Sequence, residues 1–90
     1  WPHIHFEVYS SLAAAVSGRN AVRTSQLALP AEAAGAVYAT ANYPSSASNL
    51  ARITLATDNV FSDGASLQTP TVSGSVSAGY TVALKVAVSV

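Results

Sequence analysis

Residues 3–9, His-Ile-His-Phe-Glu-Val-Tyr, alternate without a break. In an extended chain successive side chains point to opposite faces, so Ile4, Phe6 and Val8 fall on one side and His3, His5, Glu7 and Tyr9 on the other. Period two, carried by β-branched and aromatic residues, is the signature of a half-buried strand. The apolar side must meet a core. The polar side carries few full charges, which suits a site better than open solvent. The tail repeats the pattern. Val72 and Val76 alternate with Ser73, Ser75 and Ser77; beyond Ala78-Gly79, Tyr80, Val82, Leu84, Val86, Val88 and Val90 alternate with Thr81, Ala83, Lys85, Ala87 and Ser89. Two alternating runs joined by a short glycine-containing turn predict a hairpin.

Between these runs the signals are weaker. Residues 10–22 are rich in Ser, Ala, Gly and Asn and read as a loop with one weak helical turn at 11–16. Arg23–Leu29 reads as a second strand. Pro30 opens a short helix to about Ala39, with Glu32 suited to the positive end of its dipole and alanines supplying propensity. Residues 42–49 read as loop by composition, Leu50–Leu55 as a short strand, and 57–64 as a turn ending at Gly64. No internal repeat is present. The class expected is mainly β with one short helix at about 30–40, forming part of a sandwich.

Composition narrows the functional classes. Half of the 90 residues are apolar and charged residues are few, unlike a disordered chain. Four basic residues, Arg19, Arg23, Arg52 and Lys85, balance Glu7, Glu32, Asp58 and Asp63. Without a basic patch there is nothing to displace counterions from a phosphate backbone, so no nucleic-acid partner is expected. Apolar runs fall far short of the roughly 20 residues that span a bilayer, so no membrane partner is expected either. There is no cysteine, which excludes disulfides and thiolate metal sites.

His3 and His5 are the chain's two histidines. On a strand they share a face, roughly 6.6 Å apart along the chain. Two imidazoles so placed can converge on one metal at bonds of about 2.1 Å. Imidazole serves iron, zinc, copper and nickel alike, so the pair does not choose the metal. Two histidines can also fall together on a solvated strand with no ion between them; the apolar opposite face and Pro2 favour the metal reading. Glu7 continues the face but lies roughly 10 Å along the strand from a metal seated beside residue 4. Its side chain and one metal bond cover about 7 Å, so an orienting or surface role is expected of it. Two imidazoles do not complete a site.

The string Trp1-Pro2-His3-Ile4-His5-Phe6-Glu7-Val8-Tyr9 resembles the histidine strand of intradiol ring-cleavage dioxygenases, the catechol and protocatechuate 3,4-dioxygenase group. Thr24-Ser25-Gln26-Leu27 is similar to that family's Thr-Gln-Leu strand. Ala36–Thr40, Asn49-Leu50 and Asp58–Gly64 look like the C-terminal segment of secreted-type actinobacterial members, and secretion is suggested on that similarity alone. The resemblance implies an intradiol-type β-sandwich, with residues 1–90 as the C-terminal part of one catalytic domain. It implies non-haem Fe(III) held by two histidines, here His3 and His5, and by two tyrosinates. It also implies a catechol-type substrate and O₂, with ring opening to a muconate-type product, and it sets Gln26 beside the substrate as a catalytic residue. The interval from the histidine pair to Gln26 is longer here than in the family. The family's tyrosine ligands precede its histidine strand; none of Tyr9, Tyr38, Tyr43 or Tyr80 stands there. Its arginine would fall just before Trp1. These 90 residues alone are therefore expected to hold ferric iron poorly and not to turn over.

Other features read blandly. Tyr38 and Tyr43 flank the helix end and are expected to pack. Asp58–Gly64 lacks oxygen donors at alternate positions, with Val60 where one is needed, so it is a turn and not a calcium loop. Trp1 either lines a pocket or caps the core. Ser10, Ser11 and Ser17 have no positioned base. Two rival readings remain: a non-catalytic β-sandwich binding module, and a zinc or copper protein using the same His-x-His.

Overall fold

The structure, a computed structural model, describes residues 1–89. The order of elements is β1 (His3–Val8), α1 (Leu12–Ser17), β2 (Arg23–Ala28), α2 (Ala31–Tyr38), α3 (Ser46–Leu50), β3 (Thr71–Ser75) and β4 (Gly79–Ala83). The architecture is mainly β, with two antiparallel two-stranded sheets, β1–β2 and β3–β4, and three short helices among the described residues. No helix among them is long and apolar enough to cross a membrane.

β1 and β2 form where the alternating run 3–9 and the second strand at 23–29 were expected. Their register pairs His3 with Ala28, Ile4 with Leu27, His5 with Gln26, Phe6 with Ser25, Glu7 with Thr24 and Val8 with Arg23. Directly paired residues share a face. One face thus carries Ile4, Phe6 and Leu27, and the other carries His3, His5, Glu7, Gln26 and Thr24. The connection uses α1 as a spacer. Ser11 caps its start, the hydroxyl accepting from the Ala14 amide at 3.1 Å, and Gly18 ends it in the left-handed region at φ 68°.

α2 begins after Pro30 with Glu32 in its first turn, as expected, and buries Ala34. The expectation of a single helix needs correction. α1 is a real helix and α3 occupies part of the segment read as loop. Leu50, expected to open a strand, closes α3, and turns follow it. Short apolar runs such as Leu50–Leu55 carry no period that separates strand from helix, and here no partner strand lies alongside.

The hairpin also differs in extent. β3 and β4 pair from Thr71↔Ala83 to Ser75↔Gly79, with residues 76–78 as the turn. The alternation runs on to 90, yet the ladder stops at Ala83 because its partner begins at Thr71, after Pro70, which has no N–H to give. Residues 84–89 are not strand, and Val90 lies outside the described residues. Val72 and Val82 face the apolar side of the first sheet. Residues of both sheets line a cavity of about 330 Å³, among Ile4, Leu29, Val37, Val72, Tyr80 and Val82, and another of about 250 Å³, among Phe6, Leu27, Val82, Leu84 and Val86. Fully buried apolar residues are few: Ala28, Ala34 and Phe61.

Candidate metal centre

His3 and His5 stand on the exposed face of β1, two residues apart in unbroken strand, with the backbone extended through both. His5 sits directly opposite Gln26. The three residues singled out from the sequence therefore share one face, and antiparallel pairing brings Gln26 to the histidine strand across a chain separation of 21 residues. The Gln26 side chain is half-buried, and its backbone carbonyl accepts from the side-chain amide of Gln68 at 2.9 Å.

Each imidazole has one nitrogen engaged. His3 Nδ1 lies 2.7 Å from the Trp1 carbonyl oxygen. A carbonyl can only accept, so Nδ1 carries the proton and Nε2 presents its lone pair outward. His5 Nε2 lies 3.4 Å from Glu7 Oε1. This is a long contact in which the carboxylate again accepts, leaving Nδ1 as the free donor atom of a neutral ring. Metal-bound histidines characteristically have the second nitrogen fixed by a carbonyl or carboxylate. The residues fit that requirement, and Glu7 stands in the position of an orienting partner.

Glu7 is itself held. The Tyr9 hydroxyl donates to its second oxygen. That bond, then the contact with His5, holds the Glu7 carboxyl below the usual carboxylate range, while the same carboxylate pushes the Tyr9 phenol above its ordinary value. Glu7 is thus an anion over the whole neutral range.

Phe61 gives the His3 end a wall. It is the most buried side chain, 2% exposed, and its ring meets that of His3 edge-on, with centroids 6.1 Å apart at 67°. Asp58 places it. The Asp58 backbone carbonyl accepts from the amides of Phe61 and Ser62, its Oδ1 accepts from the Val60 amide at 2.7 Å, and its other oxygen accepts from the ammonium group of Trp1. The segment 57–64 is a turn, as its composition suggested. Trp1 anchors the strand start, donating from Nε1 to the Leu29 carbonyl at 2.7 Å.

Sequence reasoning did not find Phe61, Asp58 or Gln68 as parts of this region. Their link to β1 and β2 runs across 40 to 58 residues of intervening chain, and no periodicity signals it. Tyr38 and Tyr43 pack on each other, ring centroids 5.4 Å apart, away from the histidines. Among the described residues no group of three His, Cys, Asp or Glu side chains comes together as a metal site. No family model, curated protein or solved structure matches this chain.

Proposed function

We propose that His3 and His5 are the two imidazole ligands of a non-haem ferric centre of the intradiol dioxygenase type, with Gln26 beside the substrate. The carrying observation is the β1–β2 register, which sets Gln26 opposite His5 on the face that both imidazoles share. The hydrogen bonds support the reading, since each ring keeps one nitrogen fixed and one free. In this proposal the two sheets are parts of an intradiol-type β-sandwich and the substrate is a catechol. Ferric iron, once bound, would hold the catechol's two oxygens and raise the ring's reactivity toward O₂. The chain's own share is narrower. His3 and His5 hold the ion, Glu7 and the Trp1 carbonyl orient the rings, and Gln26 offers an amide for hydrogen bonding to the substrate. Phe61 keeps water from the His3 side. The reading needs two tyrosinate donors besides these imidazoles.

The test is iron content and oxygen uptake in a full-length protein that also carries the tyrosinate donors this reading requires. His3→Ala or His5→Ala should abolish iron retention. Gln26→Ala should leave iron bound and slow oxygen uptake with catechol. A tyrosinate-completed ferric site absorbs visible light and colours the protein. Undiminished iron and turnover after loss of either histidine would end the proposal. A colourless protein with stoichiometric zinc would transfer the same two imidazoles to the zinc reading.

A further inference from the structure

β1 has a neighbour on one side only. The direction of its backbone groups follows from the bonds at its ends. The Pro2 and Val8 carbonyls accept from the amides of Leu29 and Val22, so the even-numbered residues face β2. Ala28, paired with His3, sends its N–H the other way, to the Gln68 carbonyl at 2.8 Å. Alternation then turns the N–H and C=O groups of His3, His5 and Glu7 outward, and no backbone partner meets them among the described residues. The edge is lightly guarded, with Glu7 as its one carboxylate. Residues 3–8 contain no lysine, no proline and no bulge.

The molecule also has surface to spare. Its accessible area is 6300 Å² at 9.1 kDa. A compact monomer of that mass exposes about 4900 Å². The excess, about 1400 Å², exceeds the roughly 800 Å² that each partner of a standard stable interface buries.

We infer that a second copy of this chain adds to the free edge of β1, antiparallel and about a two-fold axis through Phe6, bringing its Glu7 and Tyr9 beside His5 and His3. The register follows from what each pairing would oppose. An axis through Ile4 or His5 sets histidine against histidine. An axis through Phe6 sets His5 against the second copy's Glu7 and the reverse, so each cross-strand pair joins a base to an acid. On the other face it sets Ile4 against Val8 and Phe6 against Phe6, continuing the apolar surface into a four-stranded sheet β2–β1–β1–β2. The exposed face then offers two imidazoles from one chain with a carboxylate and a phenol from the other, twice per dimer. This inference rests on the reading of His3 and His5 as metal ligands only for that last step; the pairing itself does not need it.

Sedimentation velocity on the 90-residue chain tests it, with circular dichroism to verify folding. The native chain should run at twice its 9.1 kDa mass. Glu7→Lys removes the carboxylate that faces His5 at two symmetry-related places and sets an ammonium group on the pairing edge, and should weaken association about tenfold or more. Glu7→Pro deletes an outward N–H that β2 does not use and should give a monomer with β1–β2 intact. The double substitution His5→Glu/Glu7→His keeps an acid opposite a base across this axis and should restore the dimer; an axis through His5 would oppose two carboxylates and leave it a monomer. A native chain that stays monomeric at every concentration overturns the inference, as does dimerisation undiminished in both Glu7 variants. Zinc separates the two readings. It should tighten the native dimer and leave a His3→Ala dimer unchanged, because that variant keeps the His5–Glu7 pairing but has one imidazole fewer on the face. A dimer indifferent to zinc keeps the edge pairing and removes the metal reading.

Discussion

Phe61 and Asp58 show how single residues decide whether the histidine strand has a defined environment. Phe61 is nearly sealed from solvent and lies edge-on to His3. Truncating it removes that wall and leaves a cavity in a chain with few other buried side chains. Phe61→Ala should cost about 3 kcal/mol in urea-unfolding stability, the usual scale for a buried phenylalanine, and a cost below about 1 kcal/mol would show that the wall is not packed. Asp58 acts through charge. Its contact with the Trp1 ammonium group, then the Val60 amide, depresses its carboxyl below the ordinary 3.8. A carboxyl depressed in the folded state favours folding above its unfolded value, and that contribution fades as pH falls through the lower folded value. The native chain should therefore melt higher than Asp58→Asn at pH 5 to 7, with the gap closing below pH 3.8. A gap that is constant down to pH 2 would place the effect of Asp58 in its turn geometry instead of its charge.

At the scale of elements, the hairpin turns on Gly74. Its φ is 118°, and a β-carbon there would lie 2.1 Å from the Gly79 carbonyl oxygen. Both the backbone conformation and the close approach across the ladder demand glycine. Gly74→Ala should destabilise the chain by about 2 kcal/mol and loosen β3–β4 selectively. Hydrogen exchange reads this directly: protection should fall at residues 71–83 while β1–β2 keeps its own, and uniform loss would mean that the two sheets unfold as one unit. The elements differ in how legible they were. β1, β2, α2 and the hairpin each carry their signal locally, in alternation, in Pro30 and its alanines, or in a glycine turn. α3 does not, because Ser-Ala-Ser-Asn has neither helical period nor propensity. The extent of β4 was illegible for another reason. Alternation measures fitness for a strand, whereas a strand lasts only as long as its partner, and β3 begins only at Thr71, after Pro70. The candidate site divides the same way. His-x-His places two rings on one face by geometry alone, but the cross-strand position of Gln26 depends on register, which α1 and its caps set.

For the whole molecule the governing fact is loose closure. The Cα radius of gyration is 15.1 Å, against about 12 Å for a compact 90-residue domain. Apolar side chains from both sheets and from α2 line a cavity of about 330 Å³. Space of this kind costs dispersion contacts on every wall. Ala33 lies on α2 at the cavity margin, only partly exposed, and its side chain is small. Ala33→Leu adds three carbons toward that space at little cost in helix propensity. At about 25 cal/mol per Å² of apolar surface, less the rotamer entropy lost, the expected gain is about 1 kcal/mol. Urea midpoint and thermal melting should both rise, with the urea slope unchanged. The opposite sign has a definite meaning. If Ala33→Leu destabilises the chain, the sheets close on each other in solution and the cavity is already filled; a mutation that adds volume would then be read as overpacking. The sign of this one substitution therefore tells whether the cavity lined by both sheets and α2 has room for three more carbons.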